Sequence, residues 1–193
     1  MATRRQIRGE ARFSAVLAAV RAVEHLVGVP RERLDPTAAA GVPPHVTVLY
    51  PFIPPAEISE DTVRVLREAV ADVEGFACAF TSVDWLNGRV LCLRPTPEQP
   101  FRELTKRVSA AFPHYAPYSG KHPPVPHLTV GYNDVSVGTD LPIATVQLEL
   151  GLPVRTRIEQ LSLMVGSDKP HSWYTVAELP LTMTTTPPGI PGM

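Results

Sequence analysis

A chain of 193 residues with 44% hydrophobic and 19% charged side chains is long enough for one domain with a substantial core, and no apolar run in it is long enough to cross a membrane. A formal net charge of −1 lacks the basic excess that gripping long nucleic acid requires, so a DNA duplex is not the expected partner and a small nucleotide or an RNA end is favoured. The opening Met1-Ala2-Thr3-Arg4-Arg5 has no apolar stretch of the secretory kind, so the expectation is a soluble, cytoplasmic monomer without a membrane partner.

Residues 1–12 read as a flexible N-terminus, with Arg4, Arg5 and Arg8 on a solvated terminus. Phe13 to Val20 is Ala/Val-rich and fits either the opening of a helix toward Leu26 or a buried strand. Glu24 to Leu34 reads as helical but interrupted by Gly28 and Pro30, with Pro36 ending it. Pro43-Pro44 brings the chain out extended, and His45 to Tyr50 follows as a strand stopped by Pro51. Ser59 to Glu74 is the clearest helix, with Ser59 as cap, Glu60 and Asp61 in the first turn, and Val63, Leu66, Val70 and Val73 on one face.

Phe76 to Trp85 and Arg89 to Arg94 flank Asn87-Gly88, the strongest short hairpin signal. A two-residue turn there predicts Cys92 opposite Val83, so Cys78 and Cys92 are expected as buried free thiols. Glu98 to Phe112 reads as a second helix, followed by a proline-rich loop from Pro113 to Pro126 and a strand from His127 to Tyr132. Leu141 to Leu150 fits a third helix closed by Gly151. Val154 to Val165 and Trp173 to Leu179 read as a final strand pair around Gly166-Ser167-Asp168, with a bulge near Glu159 where the inward parity switches. The Thr/Pro/Gly-rich tail, 182–193, is expected to be disordered, leaving 13–181 as one domain. Irregular alternation of helices and strands with a tight hairpin predicts an α+β fold with antiparallel sheets.

One heptapeptide occurs twice. Pro44-His45-Val46-Thr47-Val48-Leu49-Tyr50 and Pro126-His127-Leu128-Thr129-Val130-Gly131-Tyr132 share Pro, His, Thr, Val and Tyr at matching positions. A single His-x-Thr is weak; two copies with matching flanks are not. On a strand, alternate side chains share a face, so His45 and Thr47 project together, about 7 Å apart, as do His127 and Thr129. Two such strands side by side bring two imidazoles and two hydroxyls to one rigid surface.

Breaking a phosphodiester needs a base for the attacking oxygen and an acid for the leaving oxygen, and imidazole does both near neutral pH. Two imidazoles in one site discourage double protonation, so the pair is expected to hold one proton. Threonine hydroxyls can donate to the non-bridging oxygens where charge builds. Neither motif has a nearby Asp, Glu or Cys on its face, so no metal site is expected. Counting by parity, Tyr50 and Tyr132 fall on the face opposite the histidines and read as packing residues. Tyr118 and His122, in the loop before the second motif, are secondary candidates for substrate contact. His25, His114 and His171 lack any partner pattern, and Arg155 and Arg157 read as surface strand positions.

The two segments, Pro44-His45-Val46-Thr47-Val48-Leu49-Tyr50-Pro51-Phe52 and Pro126-His127-Leu128-Thr129-Val130, resemble the paired H-x-T-x signatures of the 2H phosphoesterase superfamily, in its 2′-5′ RNA ligase-like (cyclic phosphodiesterase) branch. The resemblance runs from about Ser14 to Leu179 and takes in the hairpin, the Pro-Tyr loop around Tyr118 and Leu152-Pro153-Val154. It implies a bilobal, pseudo-twofold fold of antiparallel sheets flanked by helices, with the site in the cleft between lobes and Phe13–Val20 as a strand. It implies His45 and His127 as catalytic residues, Thr47 and Thr129 as phosphate-binding residues, and no metal or organic cofactor. The function implied is metal-independent hydrolysis, or reversible ligation, at 2′,3′-cyclic phosphates or 2′-5′-linked nucleotide or RNA ends. The competing reading is a non-catalytic module that binds nucleotide or RNA phosphate.

Overall fold

The two copies of the repeat form neighbouring strands at the middle of one antiparallel sheet. In the computed structural model, which describes residues 11–133 and 140–183, the strands are β1 (Phe13–Ala19), β2 (His45–Leu49), β3 (Phe76–Leu86), β4 (Val90–Thr96), β5 (Leu128–Tyr132), β6 (Val154–Ile158), β7 (Gln160–Gly166) and β8 (Tyr174–Pro180). They are ordered β6-β3-β4-β5-β2-β1-β7-β8. The helices are α1 (Glu24–Leu34), α2 (Pro36–Ala39), α3 (Glu60–Val70), α4 (Gln99–Ala111) and α5 (Asp140–Gly151). No helix among the described residues is long and apolar enough to cross a membrane. The basic segment at 4–8 and the tail from 184 lie outside the described residues.

The strand order is a palindrome about the β5–β2 junction: β2 corresponds to β5, β1 to β4, β7 to β3 and β8 to β6. The helices obey the same pseudo-twofold relation with an exchange. α1 precedes β2 in sequence yet packs on β5, and α4 precedes β5 yet packs on β2. The fold is therefore α+β and bilobal, with each lobe supplying cover for the other's motif strand.

β1 is buried along Ser14–Ala18 on both faces, because β2 and β7 flank it and core lies on either side. That two-sided burial erases the period-2 signal and explains why helix and strand were equally compatible with Phe13–Val20. α1 runs through Gly28 and Pro30 where an interruption was expected. Val27, Arg31 and Leu34 are buried at i, i+4 and i+7, and this packing outweighs the hydrogen bond that Pro30 cannot make. α3 starts with a capping box in which the Ser59 hydroxyl accepts from the Thr62 amide and Thr62 reaches back to the Ser59 amide. It ends at Val70, short of Glu74, in a turn closed by the Val73 amide on the Val70 carbonyl.

Two sequence expectations about register need correction. Asn87 and Gly88 do form the turn, with φ of 51° and 66°. Arg89 is an extra residue after it, so Leu86 pairs with Val90 and Cys92 opposes Asp84 in place of Val83. The cysteines remain free and buried, and burial pushes Cys78 up to about 11 and Cys92 up to about 12. Second, the parity switch at Glu159 is no bulge in one strand. β6 pairs with β3 at one edge of the sheet while β7 pairs with β1 and β8 in the other lobe. Glu159 is where the chain crosses between lobes.

The main core lies on the helical face of the sheet and includes Val16, Ala18, Val46, Val48, Leu91, Leu93, Leu128 and Val130, together with Leu66 of α3 and Phe101 and Leu104 of α4. A small second cluster, Ala15, Leu17, Val42 and Met164 with Trp173 against it, sits on the opposite face, beside the site.

Candidate active site

The site follows from one cross-strand pair. β2 and β5 run antiparallel with Val46 opposite Leu128. One residue further each way, His45 comes opposite Thr129 and Thr47 opposite His127. Directly opposed Cβ atoms lie ~5 Å apart, and the His45–His127 diagonal spans ~7 Å. The four side chains line one cavity of about 340 Å³. The intervening Val46 and Leu128 point the other way and are fully buried, which anchors both strands.

The two imidazoles are held alike. His45 Nδ1 lies 2.8 Å from the Pro43 carbonyl, and His127 Nδ1 lies 2.7 Å from the Val125 carbonyl. A carbonyl only accepts, so each Nδ1 carries the proton and donates. Each Nε2 is thereby left as the atom that accepts or delivers a proton. Proline follows the carbonyl-bearing residue in both copies (Pro44 and Pro126), and a residue before proline is held extended. The proline shared by the repeats thus helps set the carbonyl that orients the ring.

Burial dominates the electrostatics of both rings. It lowers His45 to about 4, with the Pro43 bond and Asp35 opposing and Arg31 and His127 adding to the shift. His127 is lowered too, again chiefly by burial, with the Val125 bond opposing and Arg94 contributing. Both shifts favour the neutral imidazole, and an anion in the cavity would act in the opposite direction.

Two cations approach the rings, one buried (Arg31) and one half-buried (Arg94), and both are already paired. Arg31, at 2% exposure, donates to Asp35 from Nε at 3.1 Å and from a terminal nitrogen at 2.8 Å. It also donates to the Thr37 hydroxyl and the Val42 carbonyl. Asp35 accepts in turn from the Thr37 amide and hydroxyl. Arg94, next to His127 across the β4–β5 ladder, pairs with Asp84 at 3.3 Å and with Glu98. Among the described residues, no three His, Cys, Asp or Glu side chains are grouped as metal ligands would be.

The tyrosines of the repeat contradict the parity count. Along β1–β2, Val16 pairs with Leu49 and Leu17 with Thr47, so Val48 is an extra residue. Along β4–β5, Leu91 pairs with Gly131 and Cys92 with Thr129, so Val130 is extra. The two bulges fall at equivalent positions of the repeat. Each flips the parity beyond it, turning Tyr50 and Tyr132 from the core face to the cavity, which both line.

Of the secondary candidates, Tyr118 lines the cavity, while His122 is exposed in its loop and does not. Tyr118 holds φ at 52°, an uncommon value for a non-glycine residue, and its amide donates to the Tyr50 carbonyl at 2.7 Å. Burial pushes its phenol up to about 12, so it stays a donor at neutral pH. His25, His114 and His171 are exposed, and Arg155 and Arg157 lie on β6 at the sheet edge. Ala15, Leu17, Thr37, Val42 and Trp173 complete the wall without having been singled out in the sequence. Trp173 is fixed by its indole N–H on the Ser167 carbonyl at 2.9 Å, and it packs so closely on Gly166 that no side chain fits there.

A family model described as the 2′-5′ RNA ligase superfamily matches residues 13–170. No curated protein matches the chain. Among solved structures, E. coli LigT complexed with 3′-AMP is 17% identical with a TM-score of 0.57, covering 90% of this chain and 99% of that one. TT0787 of Thermus thermophilus is 16% identical with a TM-score of 0.59, covering 89% and 97%. A structure described as a phosphoesterase is 17% identical with a TM-score of 0.56, covering 89% and 99%. At these identities the likeness concerns the fold.

Proposed function

The chain belongs to the 2′-5′ RNA ligase superfamily, and on that footing we propose that it hydrolyses, or reversibly ligates, phosphodiesters at 2′,3′-cyclic phosphate or 2′-5′-linked nucleotide or RNA ends, with His45 and His127 as a metal-independent acid–base pair. Phosphodiester processing is the activity of the superfamily; the substrate and the residue roles are the reading offered for this chain. The observation that carries it is the matched setting of the two imidazoles, each with Nδ1 on the carbonyl two residues back and each facing the same cavity through Nε2.

In hydrolysis, one Nε2 takes a proton from water as its oxygen bonds to phosphorus. The other Nε2 delivers a proton to the ribose oxygen as that P–O bond breaks. One imidazole ends protonated and the other neutral, and proton exchange with solvent resets them. In ligation a ribose hydroxyl takes the place of water and each histidine keeps its role; in the reverse cleavage the roles exchange. Thr47 and Thr129, at mirror positions, donate to the two non-bridging oxygens. The cavity suits a small nucleotide or an RNA end, and E. coli LigT has been solved with 3′-AMP bound.

The test is turnover of a panel of nucleoside 2′,3′-cyclic phosphates with chelator present. The account expects turnover with a bell-shaped dependence on pH. Binding without turnover supports the non-catalytic module, and loss of turnover on chelation supports a metal-dependent reaction.

A further inference from the structure

Tyr50 and Tyr132 are placed by no core packing: the Tyr132 phenol has a hydrogen bond with Thr129 at the cavity wall, and the Tyr50 carbonyl accepts from the Tyr118 amide. The two tyrosines are 37% and 41% exposed, and neither joins a hydrophobic cluster of the fold. A bulge costs ladder pairing, and two bulges at matching positions serve to re-aim the same residue type in each motif. Bulges beside a site that redirect a side chain into it are a recurrent device.

Their positions are ordered about the pseudo-twofold axis. Starting at the Val46–Leu128 pair, β2 passes Thr47 and reaches Tyr50 three ladder steps away, Val48 being the unpaired residue. β5 passes Thr129 and reaches Tyr132 three steps in the opposite direction, with Val130 unpaired. Each tyrosine backbone thus lies ~10 Å from the axis. His127 stands on the Tyr50 side and His45 on the Tyr132 side. A phosphate on the axis has its entering and leaving oxygens on opposite sides, one per histidine. Any group carried by one of those oxygens extends toward the tyrosine beyond that histidine.

We propose that Tyr50 and Tyr132 are substrate-binding residues, each receiving the group attached to one ester oxygen, so that the preferred substrate is a phosphodiester bearing a nucleoside on both sides. Tyr50 receives the group on the oxygen served by His127, and Tyr132 the group on the oxygen served by His45. This deepens the reading above and rests on it. The exposed ring faces offer stacking for a base of any identity, and the phenols offer a donor to a sugar hydroxyl. A mononucleotide occupies one side only. In hydrolysis of a cyclic phosphate the nucleoside lies on the leaving side, so the tyrosine it uses marks the neighbouring histidine as the acid.

The test is calorimetric binding of two inert probes to the full chain. One is a 2′-5′-linked dinucleoside monophosphate whose neighbouring 3′-hydroxyl is removed so that it cannot cyclise; the other is adenosine 2′-monophosphate. Tyr50→Leu and Tyr132→Leu are each expected to weaken the dinucleotide about tenfold, as for loss of a stacking ring. Only one of the two is expected to weaken the mononucleotide. Unchanged thermal melting establishes that each variant folds. Equal weakening of both probes by both variants overturns the proposal, because it places the tyrosines on the phosphate. Unchanged dinucleotide affinity in both variants also overturns it, as does a wild-type protein that binds the dinucleotide no tighter than the mononucleotide. Binding is read without turnover, so a catalytically silent protein counts against the preceding reading and leaves this one decidable.

Discussion

Gly131 lies against Leu34, and a Cβ at Gly131 would overlap the Cβ of Leu34. The first motif has Leu49 at the equivalent place, fully buried in the core. The mismatch between the repeats is thus a packing requirement: α1 crosses β5 where a side chain would stand.

Restoring the repeat should therefore harm the protein. Gly131→Leu forces α1 off the sheet and is expected to cost about 1–3 kcal/mol or more, as overpacking does. Gly131→Ala should cost less. Urea unfolding of both variants measures this, and an unchanged midpoint for Gly131→Leu would show that α1 yields freely.

The Arg31–Asp35 pair supports the wall that carries Thr37 and Val42. Its side chains are 3% and 1% exposed, so removing one partner strands the other charge in the core. Arg31→Met or Asp35→Ala alone is expected to cost about 3–5 kcal/mol. Replacing both with apolar residues of similar volume should cost much less. Equal, additive losses in a double-mutant cycle would show that the two residues act independently.

The lowered histidines make stability depend on pH in a fixed direction. His45 titrates near 6.5 unfolded and about 4 folded, so between these values the unfolded chain binds more protons. Stability should be complete above about pH 6.5 and fall as pH drops toward 4, by on the order of 3 kcal/mol for this residue. His127 adds a loss of the same sign. His45→Asn should flatten the profile. Conversely, an anionic ligand that raises these values should take up a proton near pH 7. Calorimetry in buffers of different ionisation enthalpy reads that uptake directly.

The repeat disclosed the motif strands and the four residues of the central diamond, because a strand's period puts His and Thr two apart on one face. The same period failed five residues past each histidine. A bulge adds a residue without a mark in the local composition, since Val48 and Val130 look like ordinary strand valines. The signal that could have found the tyrosines was their identity in both copies, which packing alone does not demand. Glu159 shows the converse. Its parity switch was visible, but whether it marks a bulge or a crossing between lobes depends on partners far away in sequence. Arg31, at a helical position like many exposed arginines, carries no sign in the sequence that it lies buried against Asp35.

The central claim is that His45 and His127 serve one chemical step from one proton-sharing site, assisted by Thr47 and Thr129. The decisive measurement is kcat/KM on a nucleoside 2′,3′-cyclic phosphate, with chelator, for His45→Ala, His127→Ala and the double variant. The account predicts that each single substitution removes most of the activity and that the double variant is little worse than the poorer single one. Thr47→Val and Thr129→Val should each cost about 1–3 kcal/mol of transition-state binding. Losses that multiply in the double histidine variant, or a single histidine variant that keeps near wild-type activity, would contradict it.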